Sequence, residues 1–385
     1  MAGMSAILVV GLDGCSRLRP KPPAQYVYVT AKQTFLRDRV AAVSNRTGTV
    51  ENGDRLQVLE RGRRFVRVKT EKGEQGWIDE KVVATQEIFD QFEALKQEHK
   101  KDPAVASAVV RDEVYMHVKP GRDTERFYRL SEGEKLKLLA RATLPKPVPP
   151  GMRPAKPATP PPGAKPGDTK AAAAPAAPEP PPMEDWWLVQ DSRGDTGWLL
   201  SRMMDVDAPD SLTRYSEGQR RVGAYVLTTV NDPEAEQENK NIPVYVTVLS
   251  PYKAGLPYDF NQVRVFTWNI KKHRYETGSR DRNIEGYLPV EVKMATDPYG
   301  KSPTATTPAP VFSYRVLSDE AGPVIPDPVT GAIVPGKTVL KTYRLEGNLV
   351  RRILQPGVPA LGEAHPEPVA EKKKKAKAAG GKKKR

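Results

Sequence analysis

Gly73-Glu74-Gln75-Gly76-Trp77-Ile78 recurs later in the chain as Gly194-Asp195-Thr196-Gly197-Trp198-Leu199. Each copy follows a second shared stretch, Gly53-Asp54-Arg55-Leu56-Gln57-Val58-Leu59 and Gly133-Glu134-Lys135-Leu136-Lys137-Leu138-Leu139. Gly53 and Trp77 are 24 residues apart, whereas Gly133 and Trp198 are 65 apart. Nearly all of the excess is one Pro/Ala-rich run, Pro145 to Pro182. With that run set aside the two stretches match in order and spacing, as a duplicated small β-domain with an insert in one copy would.

The strand signals agree. Arg55–Glu60 and Arg64–Thr70 alternate polar and apolar residues, and Gly76–Asp79 starts a further strand after a glycine turn. Lys135–Leu139, Trp186–Gln190 and Gly197–Leu200 repeat that order. Glycines at 73, 76, 194 and 197 suit hairpin turns, where positive φ is costly for other residues. About 60 residues of short antiparallel strands close only a small barrel. Alternation after a glycine turn predicts that Trp77 and Trp198 face the core. Trp186 and Trp187 are adjacent on one strand and face opposite sides, so only one of them is expected to be buried.

These motifs resemble the bacterial SH3 (SH3b) family, whose pattern runs L-N-V-R-x-G-P, G-x-x-[L/V]-x-V-L, W-x-x-V and G-x-x-G-W-[V/I]. The third step is Phe65-Val66-Arg67-Val68 in the first copy and Trp186-Trp187-Leu188-Val189 in the second. The opening step departs from the pattern. It reads Thr34-Phe35-Leu36-Arg37-Asp38 and Met116-His117-Val118-Lys119-Pro120-Gly121, with Phe35 or His117 at the usual Asn. The resemblance implies two SH3-like β-barrels that bind cell-wall peptides or partner proteins. Ligand contact would fall to Trp186 or Trp187 and to Tyr115 or Tyr128. The acidic, Tyr-rich opening that builds the Pro-rich-peptide groove of eukaryotic SH3 domains is missing.

Between the copies, Ile88, Phe89, Phe92 and Leu95 have helical spacing. Thr85 suits the start and Pro103 the stop, so one amphipathic helix is expected to pack on a barrel. The insert holds no periodic apolar residues and reads as an extended polyproline-rich loop. Residues 207–356 carry strand candidates at Ala224–Val230, Pro243–Leu249, Gln262–Ile270, Gly286–Lys293, Val311–Leu317 and Thr338–Leu345. Hairpins are expected across Lys271-Lys272-His273 and Glu346-Gly347-Asn348. No helix-period segment interrupts them, which predicts an antiparallel sandwich, barrel or blade-like sheet. The fold class expected overall is mainly β. It comprises a leader over 1–25, barrels over 26–85 and 103–206, a linker helix over 86–102, the insert over 145–182, a third β-domain over 207–356 and a disordered basic tail over 357–385.

The net charge is +14, and Glu371–Arg385 accounts for eight of those charges with nine Lys/Arg and one Glu. Basicity concentrated in a Lys/Ala/Gly tail predicts nonspecific polyanion binding at most. The single cysteine rules out an intramolecular disulfide. Ser5-Ala6-Ile7-Leu8-Val9-Val10-Gly11-Leu12, then Asp13-Gly14-Cys15, resembles a bacterial lipoprotein signal, which implies lipidation of Cys15 and a membrane anchor. Asp13 and the lack of a Lys or Arg before the apolar run depart from that signal. No other apolar stretch approaches the ~20 residues of a membrane-spanning helix.

Catalytic patterns are sparse. The histidines at 99, 117, 273 and 365 form no H-E-x-x-H, and neither G-x-S-x-G nor a phosphate-binding G-x-x-x-x-G-K-[S/T] occurs. A cysteine peptidase needs its Cys in a folded domain. Carboxylates are plentiful, and Asp281 with Glu285 is one example of a possible pair, at a spacing more usual for surface charge. The expectation is a non-enzymatic, lipid-anchored binding or scaffold protein of the cell envelope, with no cofactor, no metal and no catalytic residues. The alternatives are a cytoplasmic nucleic-acid-associated protein using the basic tail, and a wall hydrolase with a carboxylate site in 207–356.

Overall fold

The computed structural model describes residues 23–147, 181–359 and 361–366. Cys15, most of the Pro/Ala-rich insert and the Lys-rich end of the tail lie outside the described residues. The chain forms two compact units, residues 1–90 and 91–385.

In the first unit, seven strands make one antiparallel sheet. They are β1 (Tyr26–Val29), β2 (Gln33–Arg37), β3 (Arg46–Glu51), β4 (Arg55–Arg61), β5 (Phe65–Lys69), β6 (Gln75–Asp79) and β7 (Val83–Thr85). Their order is β3-β2-β6-β5-β4-β1-β7. Val27, Val29, Leu36, Val50, Leu56, Val66, Val68 and Ile78 pack inside it. Burying one such side chain contributes about 1.5–3 kcal/mol.

The helix α1 (Gln86–Glu98) follows, within the sequence window expected. In the first unit Phe89 stacks flat on Tyr28 at 3.9 Å. In the second unit Phe92 is fully buried, edge-on to Tyr128 at 5.5 Å and tilted against Phe127 at 5.8 Å.

The second unit opens with β8 (Ala106–Val110), β9 (Val114–His117), β10 (Arg126–Leu130), β11 (Lys135–Pro145), β12 (Met183–Gln190), β13 (Thr196–Leu200) and β14 (Met204–Val206). Their order, β10-β9-β13-β12-β11-β8-β14, is that of the first sheet strand for strand. The likeness extends to single hydrogen bonds. Asp54 Oδ2 accepts from Glu51 N at 2.8 Å where Glu134 Oε2 accepts from Ser131 N at 3.0 Å. The glycine turns are closed by Gly73 N to Thr70 O at 3.0 Å and by Gly194 N to Asp191 O at 3.1 Å. Both turn glycines have positive φ, 90° and 83°. A bulge falls between Val58 and Glu60 in one sheet and between Leu138 and Ala140 in the other.

The two sheets diverge at one hairpin. Strands β4 and β5 close at Arg61–Val66, whereas β11 and β12 run on to the pair Pro145–Met183. That extension is where the third sheet docks. This sheet is a meander in sequence order: β15 (Arg220–Asn231), β16 (Asn241–Ser250), β17 (Phe260–Asn269), β18 (Arg274–Ala295), β19 (Ala309–Leu317), β20 (Thr338–Glu346) and β21 (Leu349–Arg352). Its inner face is lined by Val244, Val246, Val248, Val263, Val265, Phe312 and Tyr314. Both expected hairpins form. The single strand β18 pairs with β17 through its first half and with β19 through its second. The halves meet at Gly286, where any Cβ would run into the Phe260 ring.

Buried polar groups fasten the extended hairpin to this sheet. Arg141 donates to Leu256 O at 2.8 Å and Tyr258 O at 2.9 Å and pairs with Asp259 at 3.0 Å. Asp185 lies 2.9 Å from Arg220 and accepts from Thr143 Oγ1 at 2.8 Å and Gly255 N at 3.1 Å. Burial works to raise the Asp185 pKa, but Arg141, Arg220 and these donors hold it below the ordinary carboxylate range.

Candidate binding surfaces

The inward residues of the G-x-x-G-W-[I/L] strand are its second glycine and its last residue. Gly76 and Gly197 are buried, as are Ile78 and Leu199, while Trp77 and Trp198 are half-buried on the other face. This corrects the expectation that both tryptophans are core. The glycine is itself the inward position, because the neighbouring strand passes too close for a side chain there, and period-2 alternation sends the tryptophan outward. Trp77 borders a shallow cavity of about 250 Å³ with Phe65, Val40, Gly62, Arg63 and Arg64. Val40 and Arg63 are exposed, and the Arg64 guanidinium sits 5.8 Å from the Phe65 ring centre and 3.1 Å from Asp79. An aromatic wall beside arginines is suited to an extended ligand carrying apolar and anionic groups.

The four aromatics singled out for ligand contact fall elsewhere. Trp186 and Trp187 are both buried, at 2% and 5% exposure, which corrects the reading that one must face solvent. The reason is that β12 is covered on both faces. Trp186 lies edge-on to His117 at 5.1 Å, and Trp187 lines the seam where the third sheet docks. Tyr128 is buried beneath α1, its hydroxyl donating to Glu93 at 3.2 Å. Burial and the nearby carboxylates of Asp195 and Glu93 push its phenol far above the ordinary range. Tyr115 is half-buried, with the Arg129 guanidinium 5.7 Å from its ring centre. His117, at the opening-motif position, is buried and donor–acceptor paired with Thr124 Oγ1 at 3.0 Å. Burial, with help from Arg126, lowers its pKa to about 4.

The larger concavity is the seam itself, a groove of about 1160 Å³ within the second unit. Leu138 and Trp187 contribute from the barrel, and Glu217, Gln219 and Arg220 from the chain entering β15. Arg111 and Asp205 at its edge pair at 2.6 Å. Sequence alone does not reveal this groove, because it exists only once the long hairpin has docked.

Among the described residues no group of three or more His, Cys, Asp or Glu is placed to hold a metal ion. Asp281 is bound by Lys341 at 2.5 Å and by the Tyr314 hydroxyl at 2.6 Å. Although burial opposes it, Asp281 and Glu363 keep the Lys341 ammonium charged above its usual range. Glu285, the other member of the carboxylate pair, is half-buried, and burial raises its pKa. No helix among the described residues is long and apolar enough to cross a membrane.

A family model of the bacterial SH3 domain matches residues 33–84, so the first barrel is a bacterial SH3 domain. No curated protein matches the chain. Among solved structures it is similar to NlpC2 from Trichomonas vaginalis, at 8% identity over 70% of this chain and 99% of that one, with a TM-score of 0.15. It is similar also to NlpC1 from the same organism, at 7% identity over 70% and 92% of the two chains, again at 0.15. A TM-score that low carries no argument about fold or function.

Proposed function

We propose that the protein is a non-enzymatic binding or scaffold protein of the bacterial cell envelope, in which paired SH3-like barrels hold wall peptides or partner proteins. The carrying observation is the bacterial SH3 domain at residues 33–84, whose strand order recurs in residues 106–206. On this reading the second barrel is another copy of the same domain. The Trp77 cavity is the contact surface of the first, since it joins an aromatic side chain to arginines at an open rim. The C-terminal sheet supplies a second interaction surface, and acylation of Cys15 anchors the protein.

Two experiments test it. The full chain is mixed with purified wall sacculi and the bound fraction measured, with Trp77→Ala alongside. Retention by wild type and loss in the variant support the reading, whereas no retention, or equal retention by both, removes it. Cell fractionation with mass measurement of the mature N-terminus, beside Cys15→Ala, tests the anchor. A soluble product that keeps residues 1–14 ends that part.

A further inference from the structure

On the outer face of the C-terminal sheet, cross-strand pairing places Arg264 opposite Arg280 and Gln262 opposite Arg282. Residues two apart on a strand share a face, so all four side chains lie together. One carboxylate serves the three guanidinium groups. Glu217 lies 3.0 Å from Arg264, 2.6 Å from Arg280 and 3.6 Å from Arg282. Asp281, between two of these arginines in sequence, is turned to the other face and held by Lys341 and Tyr314. The group thus has two more positive charges than negative ones. Arg264 reports the imbalance: burial and then the Arg280 charge lower its pKa, outweighing Glu217.

Two further features separate this cluster from an ordinary structural ion network. Gln262 is 5% exposed, and its Nε2 is buried without a hydrogen-bond partner, a costly state in a finished site. Glu217 sits in left-handed backbone at φ 50°, next to Gly218 at φ 76°, on the exposed chain leading into β15, with half its side chain in solvent. A non-glycine residue there is strained and is held by its contacts. Arg282 is 58% exposed, so its planar fork has donors to spare. Glu217 also lines the groove floored by Trp187 and Leu138.

We propose that Arg280 and Arg282, backed by Arg264 and Gln262, form a carboxylate-binding site in which Glu217 is a built-in competitor. The ligand class is the free C-terminal carboxylate of a short peptide, whose body lies in the adjoining groove. A carboxylate fits because a carboxylate already occupies part of the site, and paired guanidinium forks match its two oxygens. The site stands on the C-terminal sheet and does not rest on the wall-binding reading of the barrels.

The test titrates the full chain with N-acetyl-alanyl-alanine, its C-terminal amide and inorganic phosphate, read by calorimetry. The free acid is expected to bind and the amide not to. Arg282→Gln, at an exposed position that leaves folding intact, is expected to weaken binding about tenfold, the value of one charge-assisted hydrogen bond. Arg282→Lys falls between, and Glu217→Gln binds more tightly because the competitor is gone. The proposal is overturned by acid binding indifferent to Arg282→Gln, by no binding to wild type and Glu217→Gln alike, or by phosphate binding more tightly than the acid.

Discussion

A Cβ placed on Gly76 would lie 2.8 Å from the Leu36 Cβ, and one placed on Gly197 would lie 2.6 Å from the Met116 Cβ. Both are closer than real Cβ atoms come, and both occur where the tryptophan strand crosses the second strand of its barrel, at Arg37–Trp77 and His117–Trp198. The repeated glycine records a contact between backbones.

Gly76→Ala and Gly197→Ala are therefore expected to destabilise their barrels by about 1–3 kcal/mol, the usual cost of overpacking. Chemical denaturation followed by fluorescence checks this. Gly73→Ala acts differently, through its positive φ, because nothing lies within 4 Å of its added methyl group.

Trp77→Ala is expected to change the stability of the first barrel by about 1 kcal/mol or less, since the ring is half-exposed. Ile78→Ala next to it removes a fully buried side chain and should cost about 2–5 kcal/mol. Equal losses for the two would return Trp77 to the core.

The lowered pKa of His117 makes the second barrel sensitive to acid. Its pKa is about 4 when folded against 6.5 as a free side chain, so the unfolded chain binds more protons between those values. Stability from this group is complete above pH 6.5 and is lost as pH falls toward 4, by on the order of 2–3 kcal/mol. His117→Gln should flatten that part of a denaturation-midpoint series between pH 7 and pH 4.

Asp185→Asn should loosen the C-terminal sheet from its barrel. It takes the carboxylate from Arg220 and leaves Arg141 with Asp259 alone, a loss of about 1–3 kcal/mol. Faster hydrogen exchange at Gly255 and Thr143 is the expected readout, with residues 26–85 unaffected.

Much of the fold was legible in the sequence because both barrels are written in glycines and alternating residues. Strands β4 to β6 and β11 to β13, the helix and both C-terminal hairpins fall where the periodicity puts them. The site was less legible, for reasons of phase and context. Counting alternation from the turn instead of from the packed glycine reversed Trp77 and Trp198. Trp186 and Trp187 obey the two-face rule of a strand, but the docked third sheet and His117 cover both faces. The arginine cluster depends on cross-strand register, which a string of residues does not state.

The extended hairpin fixes a place where sequence can be inserted into this chain. Its last ladder pair is Pro145–Met183, and one bond further out Lys146 N donates to Pro182 O at 2.7 Å. The two ends of the Pro/Ala-rich run are thereby pinned side by side by a base clamped through Arg141 and Asp185. Whatever is threaded between them pays only a slowly growing closure cost. The domain is therefore expected to accept longer, shorter or foreign sequence at that point without retuning its register, so a reporter can be grafted there.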